Sequence, residues 1–343
     1  MRIIVLTKNY GDGYTGATSS TVALVREWVQ KGVEVEVITQ HIVGNFNEGI
    51  ILHECRTKRE MIKQLKISCD FPLCVGYSDD HLGFFFNFVR TRYIHTYHGN
   101  WPIAMWHGGL KGFLAGLWFI PQYAVTIKFS ECVCNVSDFM RRKFTDKFNR
   151  NSVVIRNGVS IKSKGVLEKE IYKAPLRIIM VGGVDKRKYE KLLRVLEKLN
   201  RSIMDKISID IYGTIHDRRL ARDIDASDSV TFKGFANHVP YPRYDLLLTT
   251  STVENLPISV IESIVSGVPV VAFDVGGIGE AISSGNQGVL IQRFDYKQMA
   301  LTIEDIVNGN VTFRFDNRKI IDTYNWGNSS SKYLKIMNVV SKK

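Results

Sequence analysis

Short runs of apolar residues, each ended by glycine or a polar turn, alternate along the chain with stretches in which apolar positions recur every three or four residues. The first run, residues 2–7, leads through Gly11, Gly13 and Gly16 into an amphipathic pattern at about 19–30 that Gly32 closes, and 33–39 is the next run. Runs without alternation predict strands buried on both faces, and the amphipathic stretches between them predict covering helices. Further strand-like runs at 71–77, 93–97 and 132–136 continue the pattern. Residues 159–175, rich in Lys, Ser and Gly and ending at Pro175, read as a linker. The order then restarts: 176–181 runs into Gly182 and Gly183, 207–212 into Gly213, and 230–235 follows. Strand, glycine loop, helix, strand is the opening of a Rossmann-like unit, and it occurs twice. The densest stretch, 245–282, predicts a buried strand, a loop, a short helix, a second buried strand and a glycine-rich turn into another helix. Pro257 suits the first turn of that short helix, and Gly267 suits the residue just past its end.

At 343 residues the chain has room for two domains with well-buried cores. Its formal net charge of +12 is uneven, with 21 Lys and Arg against 13 Asp and Glu in residues 1–165. A basic first half points to an anionic partner: membrane lipid, a phosphorylated acceptor, or nucleic acid. No nucleic-acid motif accompanies the charge, so nucleic acid ranks last. The five cysteines (Cys55, Cys69, Cys74, Cys132, Cys134) are odd in number and lack Cys-x-x-Cys spacing. Cys132 and Cys134 are most simply two small core residues on one strand face, and the set fits a reducing, cytosolic setting. Residues 2–8 stop too soon for the apolar core of a signal peptide. The most apolar window, 112–127, is shorter than the ~20 residues of a membrane span and is expected to be broken by Pro121.

Two carboxylates bracket the entrance to the short helix. Glu254 lies in the loop before it and Glu262 inside it, ~7–8 Å further along at ~1.5 Å per residue. Amides at such a helix start, or near Gly276 and Gly277, can hold an anion, and carboxylates beside it suit a ligand carrying both phosphate and hydroxyls. Two acids near a helix start also serve its dipole without any ligand. His98 follows the run 93–97, and at the carboxyl end of a parallel strand it faces the crevice where such folds bind ligands; a structural histidine is the other reading. Trp101, Trp106, Phe113, Trp118, Phe119, Tyr123 and Phe129, with Lys111 and Lys128 at the margins, form either an inter-helix layer or a surface that dips into anionic lipid and admits a lipid-linked acceptor.

The densest stretch resembles the signature of the retaining glycosyltransferases of family 4: Ser-x-x-Glu, seven residues, a second Glu, then Gly-x-Pro-Val-Val and Gly-Gly-x-x-Glu. Ser251, Glu254, Glu262, Gly267, Pro269, Val270, Val271, Gly276, Gly277 and Glu280 occupy those positions. Ser137 with Phe139, Asn157-Gly158-Val159 and the segment from Val230 to Phe235 resemble further landmarks of that family. The resemblance implies an α/β chain of GT-B architecture, two Rossmann-like domains facing a central cleft. Residues 1–158 with a closing helix at about 330–343 would bind the acceptor, and 159–329 the nucleotide-sugar donor. It also implies that Glu254 approaches the donor sugar, Glu262 holds the ribose, and Gly276 and Gly277 lie beside the donor. Phe235 would lie near the nucleobase, His98 in the acceptor or donor-sugar site, and the loop at Gly16 toward the donor phosphates, with Gly182 and Gly213 at the donor-side strand ends. In the family the glycine matching Gly182 is usually followed by an arginine, and a Lys-Gly pair comes five residues later. Here Gly183 stands at the arginine position, Lys188 at the lysine, and Tyr189 replaces the glycine; Lys186 or Arg187 can restore the missing charge at the diphosphate.

The function so implied is a retaining, metal-independent transfer of a hexose-type sugar from a nucleotide diphosphate to a glycan or polyprenyl-diphosphate-linked acceptor, in bacterial O-antigen, capsule or exopolysaccharide synthesis. The expected location is cytoplasmic, peripheral on the inner face of the cytoplasmic membrane. Alternatives are a non-catalytic nucleotide-sugar-binding subunit of an assembly complex and a nucleotide-sugar 2-epimerase.

Overall fold

The structure, a computed structural model, describes residues 1–11, 15–99, 109–159, 166–168, 175–282, 287–311, 313–316 and 318–342. The chain forms two compact units, one of residues 1–158 with 323–343 and the other of residues 159–322.

In the first unit, β1 (Arg2–Tyr10), β2 (Glu34–Ile42), β3 (Ile51–Glu54), β4 (Cys74–Ser78), β5 (Tyr93–Tyr97), β6 (Cys132–Asn135) and β7 (Ser152–Val154) form one parallel sheet in the order β3-β2-β1-β4-β5-β6-β7. The apolar runs sit inside it because helices cover both faces, and Ile3, Ile4, Val5 and Leu6 are fully buried. The helix Gly16–Gln30 begins earlier than the apolar period predicts, because Thr15 and Thr18 form a reciprocal capping box. The C-terminal helix Trp326–Val340 belongs to this unit through aromatic contacts: Trp28 meets Tyr77 at 5.2 Å and Tyr333 at 6.1 Å, edge to face. Tyr333 also hydrogen-bonds Thr96 at 3.0 Å, so its hydroxyl is satisfied in the core.

Pro121 does not break the apolar segment. The helix runs Gly109–Phe129 straight through it. The carbonyl that the proline leaves without a donor belongs to Leu117, which is on the exposed face where water can satisfy it. No helix among the described residues is long and apolar enough to cross a membrane.

The second unit contains β8 (Val166–Glu168), β9 (Leu176–Val181), β10 (Ile207–Tyr212), β11 (Val230–Gly234), β12 (Leu246–Thr249), β13 (Val270–Phe273), β14 (Gly288–Ile291) and β15 (Arg314–Asp316). Six of them form a parallel sheet ordered β11-β10-β9-β12-β13-β14. β8 lies inside the stretch read as a linker, where Val166 and Leu167 interrupt the polar composition, and it pairs antiparallel with β15. In each sheet the strand order reverses beside the first strand, between β1 and β4 and between β9 and β12. The crevice beyond the carboxyl ends at such a reversal is where open α/β sheets take ligands.

At the reversal of the first unit stand Asp79 and Asp80. Asp80 accepts from the Leu82 amide at 2.7 Å, which starts the 3-10 turn His81–Val89. Asp79 accepts from the Thr21 hydroxyl at 2.6 Å. Loss of water around them pushes the carboxyl of Asp79 up to about 6 and that of Asp80, also facing Asp79, up to about 7. The unfolded chain ionises near pH 3.8, so stability present below that pH is lost as pH rises through about 6 and about 7. Asp79→Asn keeps the acceptor for Thr21. It is expected to raise the melting temperature at pH 7.5 by ~2–4 °C, about 1 kcal/mol for a domain of this size, and to leave it nearly unchanged at acid pH. Paired melts at the two pH values check this, and an equal shift at both would refute the ionisation argument.

Candidate functional site

The reversal in the second unit gathers several of the residues singled out from the sequence. β9 ends at Gly182, whose backbone has φ of 137°. A Cβ there would lie 2.6 Å from the ammonium nitrogen of Lys188, so the absence of a side chain lets the lysine fold back over the strand end. The helix that carries Lys188, Lys186–Leu196, is capped by Asp185, which accepts from the Lys188 amide. Tyr189 is buried, and its hydroxyl donates to the Gly182 carbonyl at 3.1 Å, fixing the turn from the other side. Gly213, at the end of β10, approaches so closely that a Cβ would lie 1.9 Å from that same carbonyl.

The loop after β12 is tied to the first turn of this helix. The Thr250 hydroxyl donates to the Lys188 carbonyl at 2.7 Å, and the Thr252 amide and hydroxyl donate to the Arg187 carbonyl at 2.9 and 3.1 Å. These bonds bring Glu254 to Lys188 with 3.4 Å between Oε1 and Nζ, the two side chains 10% and 18% exposed. The turn at Gly276 locks the arrangement: its φ is 64°, a Cβ there would lie 1.8 Å from the Glu254 carbonyl, and the Gly277 amide donates to the Asn255 carbonyl. The two glycines therefore clamp the loop that holds the carboxylate.

Glu262 lies on the helix Ile258–Val265, which Pro257 precedes as the capping residue. Its carboxylate accepts from the Tyr241 hydroxyl at 2.9 Å. Burial pushes its pKa up, against the Tyr241 hydrogen bond and the charge of His238, which pull it down. Phe235 extends past β11 with its ring 59% exposed. Of the two expected substitutes for the missing arginine, Lys186 is exposed, while Arg187 lies 3.7 Å from Asp185 and donates to the Val253 carbonyl at 3.4 Å. The space beside Gly183 is taken by the imidazole of His216, which the sequence reading did not single out. Tyr241, the partner of Glu262, was missed as well, since nothing in the segment around Pro240 marks it.

In the first unit, Gly16 is the first residue of its helix and is exposed; Gly13 lies outside the described residues. His98 directly follows β5, and burial pushes its pKa down to about 4, so the ring is neutral at physiological pH. Trp118 is 69% exposed on the helix Gly109–Phe129. Trp101 and Trp106 lie outside the described residues. No group of three or more His, Cys, Asp or Glu side chains able to hold a metal occurs among the described residues. The second unit's crevice thus offers an ammonium and two carboxylates, a set that can take an anion on one side and hydroxyls on the other.

Residues 167–324 match the family model described as glycosyl transferases group 1. A Klebsiella pneumoniae relative, described as an uncharacterized 41.2 kDa protein in the cps region, is 28% identical over 210 residues, 57% of this chain and 56% of that protein. The chain therefore spans little more than half the length of that curated relative. The apo lipopolysaccharide outer core galactosyltransferase WaaB superposes with a TM-score of 0.73 at 14% identity, over 99% of both chains. Anabaena HepE in complex with UDP-glucose superposes with a TM-score of 0.67 at 14% identity, over 100% of this chain and 98% of that one. Likeness at that identity speaks for the fold. Residues 167–324 are therefore similar to the group 1 glycosyl transferases, in a chain whose two parallel-sheet α/β units have the fold of the GT-B glycosyltransferases it superposes on.

Proposed function

We propose that the protein transfers a hexose from a nucleotide-diphosphate sugar to a hydroxyl of a glycan or lipid-linked acceptor, with retention of configuration and without a metal, in bacterial surface polysaccharide synthesis. The observation that carries this reading is the Lys188–Glu254 pair at the carboxyl edge of β9 and β12. Leaving diphosphate gains negative charge as the glycosidic bond breaks, and an ammonium held in place beforehand stabilises it. Lys188 takes that role, Glu254 the donor sugar hydroxyls, and Glu262 the ribose, with Phe235 open for the base to stack on. UDP-glucose in the HepE complex supports a uridine diphosphate sugar as the donor class. The neutral ring of His98 suits a hydrogen bond to acceptor hydroxyls from the first unit. Gly183 at the usual arginine position favours the non-catalytic binding subunit as the second reading.

The same reading assigns the helix Gly109–Phe129 to a membrane surface. Leu110, Phe113, Leu114, Leu117 and Trp118 are 45–75% exposed at helical spacing on one face, and exposed Lys111 and Lys128 flank them. Such a face lies in the interface of an anionic bilayer, where a polyprenyl-diphosphate-linked acceptor resides. Co-sedimentation with vesicles containing phosphatidylglycerol is expected to fall severalfold for a Leu117→Ser, Trp118→Ser double variant. Binding that is equal to neutral vesicles, or unaffected by the substitutions, would remove the membrane from the proposal.

A panel of UDP- and GDP-sugars tests the transfer itself. One donor at 100-fold over its dissociation constant is expected to stabilise the protein by about 2.7 kcal/mol. Glu262→Ala should abolish that shift, and Glu254→Ala should lower donor hydrolysis ~100-fold or more. Binding without any turnover, indifferent to Glu254→Ala, would favour the binding subunit.

Glu262 also sets a stability test. With its pKa raised in the folded state, the stability it contributes at low pH is lost as pH rises through that value. Glu262→Gln keeps the acceptor for Tyr241 and removes the buried charge. It is expected to raise the melting temperature of the ligand-free protein at pH 7.5 by ~2–4 °C while losing donor binding. A melting temperature that drops instead would mean that the charge is stabilised in the empty site.

A further inference from the structure

Gly182 and Gly183 form the turn after β9, and a basic side chain from a different element lies over each: one from the helix Lys186–Leu196, the other from the loop after β10. Lys188 covers Gly182, and the imidazole of His216 covers Gly183. We propose that His216 is a direct ligand of the donor diphosphate, supplying from the β10 loop the contact that an arginine at the position of Gly183 would make; this rests on the donor reading above.

Space at Gly183 is the first observation. A Cβ there would meet the Cδ2 and Nε2 atoms of His216 at 2.7 Å each, and nothing else until the Thr214 carbonyl at 3.8 Å. The ring therefore fills the direction in which a side chain on residue 183 would leave the backbone. The second observation is how the ring is held. The Val184 amide donates to the Thr214 carbonyl at 2.9 Å, and the amides of His216 and Asp217 both donate to the Val184 carbonyl, at 3.1 and 3.0 Å. Val184 and Ile215 form a parallel bridge between these bonds. The backbone on either side of the histidine is thus fastened to the residue next to Gly183, which sets its Cα beside that glycine.

The third observation is access: His216 is exposed, whereas Lys188 beside it is mostly covered and already faces Glu254. An imidazole N–H donates to a phosphate oxygen whether the ring is neutral or protonated. Lys188 and His216 then grip the diphosphate from two neighbouring strand ends, one over each glycine. The departure of this chain from the family pattern at Gly183 and the presence of His216 become one event: a large side chain at 183 and the histidine cannot share the space.

Calorimetric titration of the full-length protein with UDP, GDP and ADP, and with the matching nucleosides, tests this. Wild type is expected to bind one of the diphosphates. His216→Ala should weaken that diphosphate about tenfold or more, the range of a charge-assisted hydrogen bond, and leave the nucleoside and the melting temperature unchanged. Gly183→Arg introduced together with His216→Ala should recover diphosphate affinity, because the substitution clears the only nearby atoms and Gly183 is not among the glycines with positive φ. Diphosphate affinity that is unchanged in His216→Ala overturns the role of His216 and leaves the donor reading standing. Wild type that binds none of the three diphosphates overturns the donor reading, and this inference with it.

Discussion

The second unit depends on holding one ammonium and one carboxylate together at the edge of its sheet, largely out of water. Lys188 and Glu254 come from opposite sides of the reversal in strand order, 66 positions apart in the sequence. Neither charge is tolerable alone in such a place, since a buried charge without a partner costs several kcal/mol. The surrounding backbone is built to make the contact: Gly182 opens the space for the lysine, Thr250 and Thr252 tie the two loops, and Gly276 presses on the Glu254 carbonyl.

Glu262 shows the complementary principle. Its carboxylate accepts from one hydroxyl, and burial raises its pKa, so its surroundings disfavour the charged form. Groups of this kind are kept where a ligand completes their hydrogen bonds, and they are the positions at which a substitution trades binding for stability. Asp79 and Asp80 occupy the equivalent strand-order reversal of the first unit and are likewise raised by burial. Both sheets thus place carboxylates raised by burial at their carboxyl edge.

Strands such as β1, β2, β12 and β13 were legible as apolar runs buried in their sheets, whereas β3, β7, β8 and β15, each only three or four residues long, were not, and the glycines after β1, β9 and β10 were legible as turns. Glu254 and Glu262 stood out through local spacing, which a single stretch of chain carries. The contacts that complete the site join residues far apart: Tyr241 with Glu262, and His216 with Gly183. No local period encodes such pairs, and Tyr241 and His216 look like ordinary loop residues until the sheet sets β10, β9 and β12 side by side. Pro121 misled because its penalty was counted without asking which carbonyl it bares; the bared carbonyl faces solvent. The start of the first helix was placed late because a Thr-x-x-Thr capping box extends the helix beyond the apolar period.

Hydrogen exchange of the full-length protein with and without a saturating nucleoside diphosphate tests the central claim most directly, because it reports where the ligand sits residue by residue. Slowed exchange is expected at the amides of residues 182–188, 213–217 and 254–262, the three segments that meet at the carboxyl edge of β9, β10 and β12. Protection confined to the first unit, or none in these segments at saturation, would contradict a donor site built on Lys188, Glu254 and Glu262.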